Sequence, residues 1–95
     1  MLIAKLQEGK TVSFRPRGHS MTGKIESKQL CTVEPIDPSV LKVGDIVLCK
    51  VHGNQYLHLI IAIDQERFLI GNNRGGINGW IGRNGIYGRL IRVED

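Results

Sequence analysis

The shortness and spacing of its apolar runs constrain this chain more than any other feature. Residues 11–15, 30–34, 45–51, 55–63, 67–70 and 86–93 are each rich in Val, Ile, Leu, Thr or aromatic side chains, and turn-forming residues bound each run. No stretch of about 11 residues keeps a 3.6-residue apolar period without interruption by Gly, Pro or β-branched residues, so a helical fold is not expected. The pattern predicts an all-β chain of about six strands. His52-Gly53-Asn54 and Asp64-Gln65-Glu66 are short enough to close hairpins, which predicts a meander of consecutive antiparallel strands. Pro35-Ile36-Asp37-Pro38 predicts an extended loop. Residues 16–28 and 71–85, the latter with six glycines, are expected to be loops or single helical turns, the places where a rigid sheet carries its chemistry.

Ninety-five residues predict one domain, 1–95, with one core and one site. With 41% hydrophobic and 23% charged residues, the chain has enough apolar material to fold without metal or disulfides, and disorder is not expected. The longest apolar run, residues 57–63, contains His58 and ends at Asp64, well short of the roughly 20 residues that span a bilayer. The start, Met1-Leu2-Ile3-Ala4-Lys5-Leu6, does not read as a secretory leader, and the expected location is cytoplasmic. Cys31 and Cys49 lie in apolar runs and are expected to be free buried thiols. The net charge of +4 is spread along the chain and alone selects no partner.

The segment Pro16-Arg17-Gly18-His19-Ser20-Met21 carries a Gly, one residue, then Ser-Met. It is followed in order by Val43-Gly44-Asp45-Ile46-Val47-Leu48, Tyr56-Leu57-His58-Leu59-Ile60, Phe68-Leu69-Ile70 with Gly71-Asn72-Asn73, and Ile86-Tyr87-Gly88-Arg89-Leu90-Ile91. This ordered set, covering about residues 11 to 93, resembles the signal peptidase and LexA-type serine peptidase superfamily. The resemblance implies a coiled antiparallel sheet, or partly open barrel, of the LexA C-terminal domain and signal peptidase catalytic domain type. It also implies Ser20 as nucleophile and His58 as general base, where LexA-type and bacterial signal peptidases have Lys and archaeal and endoplasmic reticulum signal peptidases have His. The implied partner is a protein or peptide substrate, with a homo-oligomer as a further possibility.

The residues support the same chemistry by themselves. A serine hydroxyl is a poor nucleophile at neutral pH and needs a base within hydrogen-bond reach, which a neutral imidazole supplies. Backbone N–H groups near Ser20, in a loop made pliable by Gly18, can hold the oxyanion. Met21 is expected to pack beneath the loop. The third group is where the chain departs from the pattern: Asn72 stands where the family has Asp, and Asn78 stands where a second acid is often seen. An Asn can orient an imidazole but cannot neutralise the imidazolium. Gly23 replaces a Pro usual in the family.

Each candidate has a plainer reading. Ser20 in a polar, glycine-rich loop is ordinarily a turn residue, and His58 among apolar neighbours is ordinarily a satisfied core residue. By strand alternation His58 shares a face with Tyr56 and Ile60, opposite Leu57, Leu59 and Ile61. His19 adjoins Ser20, where neighbouring side chains point apart, and His52 falls in a hairpin tip. Neither joins other ligands at metal spacing, so no metal or cofactor is expected. Lys24 and Lys28 are weak candidates for a Ser-Lys pair, and Gly44 and Asp45 read as a turn. Two other functions compete with peptide hydrolysis. One is a catalytically inactive peptidase fold used for binding or oligomerisation. The other is a small nucleic-acid-binding β-barrel using Arg74, Trp80, Arg83, Tyr87, Arg89 and Arg92, disfavoured by the scarcity of aromatics.

Overall fold

The computed structural model describes residues 2–95. The apolar runs become β1 (Val12–Phe14), β2 (Leu30–Glu34), β3 (Ile46–Val51), β4 (Asn54–Asp64), β5 (Arg67–Gly71), β6 (Ile77–Gly82) and β7 (Ile86–Glu94). All pairings are antiparallel, and one open, unclosed sheet runs in the order β1-β2-β7-β3-β4-β5-β6. The chain is therefore all-β, as its periodicity predicts. β3 to β6 form the expected meander, while β7 departs from it by inserting between β2 and β3.

Two elements differ from the sequence expectation. Residues 77–82 form β6 although glycines punctuate them, because β5 offers a ladder from Arg67↔Gly82 to Gly71↔Ile77. A short helix, α1 (Leu2–Gln7), buries Ile3 and Leu6 against the sheet. Six residues are too few for a helical period to stand out, and tertiary packing holds the turn. Asp37 also caps a 3₁₀ turn at Pro38–Val40, its Oδ1 accepting from the Ser39 N–H at 3.0 Å.

Side chains alternate across the sheet and bury two clusters. Val33, Leu48, Leu57 and Leu59 pack with Ile3, Leu6, Met21 and Ile25 in one. Val47, Cys49, Val51, Ile60, Phe68, Ile70 and Ile81 form the other. Burying one such side chain contributes about 1.5–3 kcal/mol, so either cluster matters to a net stability of only about 5–15 kcal/mol. Cys31 and Cys49 are free and buried, and burial pushes the Cys49 thiol up to about 12. Among the described residues no helix is long and apolar enough to cross a membrane.

Four single-residue register shifts, at Ile61, Asn78, Tyr87 and Ile91, bend the sheet. Their result is a sheet that curls until β6 meets the β3–β4 turn. That turn has positive φ at both His52 (51°) and Gly53 (83°), the backbone of a two-residue I′ hairpin. Gly79 lies beside it at a φ of 140°, backbone that favours glycine, and a Cβ there would come within 3.1 Å of the movable end of His52, at Nε2.

Candidate active site

Ser20 lies in the long loop between β1 and β2, and hydrogen bonds fix that loop at both ends and in the middle. At its base the Lys28 N–H donates to Pro16 O at 2.7 Å, and Arg15 Nη1 donates to Lys28 O at 2.8 Å. The Gly18 N–H, at a φ of 119°, donates to Ser27 Oγ. Around Ser20 the chain makes a helical turn, with the Thr22 N–H donating to His19 O and the Ile25 N–H to Met21 O. Met21 and Ile25 are buried in the first cluster, so the turn is anchored from below, as expected of Met21.

The opposite side of the turn is clamped by Asn73, whose backbone N–H donates to Ser20 O at 2.9 Å and whose Nδ2 donates to Thr22 O at 2.7 Å. Nothing in the sequence marked Asn73 beyond its place after Gly71-Asn72. Asn72 itself is a correction to the expected support of the imidazole. Its Oδ1 accepts from the N–H groups of Arg74 and Gly76, both at 2.9 Å, so it shapes the β5–β6 loop instead.

His58 projects from the middle of β4 and is only 6% exposed. Its Nε2 is 2.9 Å from Ser20 Oγ, and its Nδ1 is 2.7 Å from Asn78 Oδ1. An amide oxygen only accepts, so Nδ1 carries the proton and Nε2 is left as the acceptor for the serine hydroxyl. Asn78 reaches the ring from β6, two strands away. The register passes from Ile70↔Gly79 to Gly71↔Ile77, which makes Asn78 the extra residue of a bulge and frees its side chain from the ladder.

Burial lowers the pKa of His58 below the ordinary imidazole value, and the hydrogen bond to Asn78 opposes that shift. The ring is consequently neutral at neutral pH, the state a general base requires. Tyr56, on the same face of β4, stacks on it with ring centroids 4.7 Å apart and planes 26° from parallel.

The remaining sequence candidates fall elsewhere. His19, Lys24 and Lys28 are exposed, and the side-chain partner of the Ser20 hydroxyl is His58. Asp45 Oδ2 accepts from the Lys42 N–H, and Gly44 and Asp45 bond through their backbones to Ile60, the turn role expected of them. Among the described residues no group of His, Cys, Asp and Glu is arranged to hold a metal.

A cleft of about 40 Å³ opens beside Ser20, walled by Pro16, Met21, Ile25 and Leu57 with Arg17 and Glu26 also lining it. The backbone N–H groups of Ser20 and Met21 engage no acceptor among the described residues. A hydroxyl, a neutral base in the right tautomer and a group fixing that tautomer thus occupy one place. Comparison of the chain with protein-family models, with curated proteins and with solved structures finds no match.

Proposed function

We propose that this chain is a serine peptidase-like domain that hydrolyses a peptide bond with Ser20 as nucleophile and His58 as general base. The observation that carries the reading is the continuous Ser20–His58–Asn78 hydrogen-bond relay, 2.9 and 2.7 Å long. As Ser20 Oγ attacks the scissile carbonyl carbon, Nε2 takes the hydroxyl proton and later returns it to the leaving amine. The open N–H groups of Ser20 and Met21 are the donors for the oxyanion. The cleft beside Ser20, walled by Pro16, Met21, Ile25 and Leu57, is the place for a substrate side chain next to the scissile bond. β1 is an edge of the sheet and runs into the Ser20 loop, so a peptide paired with it as an added strand passes the nucleophile. The motif order resembling signal peptidases and LexA-type peptidases supports the same reading, and a cytoplasmic site of action goes with it.

The neutral Asn78 favours one alternative, an inactive version of the same fold used for binding or self-association. One experiment separates the two. The purified protein is treated with a serine-reactive phosphonate and, separately, with a mixed peptide library read by mass spectrometry, alongside Ser20→Ala and His58→Ala variants. Labelling of Ser20 and new cleavage products, both lost in the variants, support the peptidase. No labelling and no products leave the binding scaffold.

A further inference from the structure

A relay that ends in an amide raises a question of charge. When His58 takes the serine proton it becomes an imidazolium, buried to 6% exposure, with no carboxylate behind it. Among the described residues no Asp, Glu, Lys or Arg pairs with His58. Its polar partners are Ser20 from the β1–β2 loop and Asn78 from β6, while Val47 faces it across the ladder from β3. An unpaired buried charge is costly, so something else must support this one if the base is to work.

Tyr56 stands two residues before His58 on the same face of β4. Its ring lies against the imidazole, 4.7 Å between centroids and 26° from parallel. A cation placed over an aromatic face within about 6 Å is attracted by the ring quadrupole, and the attraction is strongest where water is excluded. Resting on the reading of Ser20 and His58 as a catalytic pair, we propose that Tyr56 is the positioning residue that takes the place of the missing triad acid. Its ring holds the imidazole plane between Ser20 and Asn78 and stabilises the imidazolium that forms during proton transfer. The phenol oxygen has no part in this; the ring face does.

The test is an NMR titration of the three histidines in the wild type and in Tyr56→Phe, Tyr56→Leu and Tyr56→Trp variants, paired with the rate of phosphonate labelling at Ser20. Tyr56→Leu is expected to lower the His58 pKa further and to slow labelling by roughly 3- to 30-fold. Tyr56→Phe is expected to keep both at the wild-type level. Tyr56→Trp, which keeps an aromatic ring at the site and has the stronger quadrupole, is expected to raise the His58 pKa. The proposal is overturned if His58 titrates alike with Leu, Phe, Tyr and Trp at position 56, or if Phe fails to keep what Leu loses. The titration reads the ring–imidazolium contact whether or not Ser20 reacts, so its failure is distinct from failure of the peptidase reading.

Discussion

Asn78 shows most directly what one residue does in this molecule. Its Oδ1 accepts from Nδ1 of His58 and so sets the tautomer, a weaker constraint than a carboxylate imposes because the amide also carries donors, and it supplies no charge to the imidazolium. A hydrogen bond to an ionised group is worth about 1.5–3 kcal/mol against about 1 for a neutral pair, so Asn78→Asp should speed Ser20 labelling roughly tenfold. The same substitution should raise the His58 pKa, moving the acid limb of the rate profile upward in pH. Labelling rates measured across pH check both, and an unchanged limb would mean that position 78 does not govern the ring. Asn73 acts on the other partner. Asn73→Ala removes the Nδ2 bond to Thr22 O while keeping the backbone bond to Ser20 O, so labelling should slow by several-fold with thermal stability shifted by about 1 kcal/mol or less.

At the scale of elements, the strands were legible and the bulges were not. β1 to β5 and β7 follow from β-branched runs between turn residues, and the two residues singled out by the ordered Gly-x-Ser-Met and His58 motifs, Ser20 and His58, lie 2.9 Å apart in the fold. β6 was hidden because Gly79 and Gly82 look like loop punctuation, whereas Gly79 serves a φ of 140° and the close approach of His52. Asn72 and Asn78 could not be told apart from sequence, since both are Asn in a glycine-rich segment. The single extra residue that turns Asn78 to the imidazole is a property of the β5–β6 register. The structural glycine of β7 offers an independent check. A Cβ on Gly88 would lie 2.6 Å from both Glu34 O and Val33 Cγ1, so Gly88→Ala must displace backbone between β7 and β2. Overpacking of this kind costs about 1–3 kcal/mol, readable as a lower denaturant midpoint with an unchanged slope.

For the molecule as a whole, the site couples the core to pH. His58 is buried and neutral in the folded chain, with its pKa held below the ordinary imidazole value, while the unfolded chain exposes a normal histidine. Between those two values the unfolded state binds the proton and the folded state does not, so stability rises with pH across that window. The contribution is fully present above the ordinary histidine value, is lost as pH falls below it, and stops changing once the folded ring is protonated too. Asp37 has its pKa lowered mainly by the Ser39 backbone hydrogen bond, so it acts in a separate window below the ordinary carboxylate value. Thermal melts from pH 8 to pH 5 should therefore show a fall in midpoint that His58→Gln abolishes and His19→Gln does not, His19 being exposed. Activity should outlast the onset of that fall, because the base is titrated only at the lower, folded-state value. A His58→Gln variant with the wild-type pH slope would place the titrating group elsewhere and remove the buried neutral imidazole on which the general-base role depends.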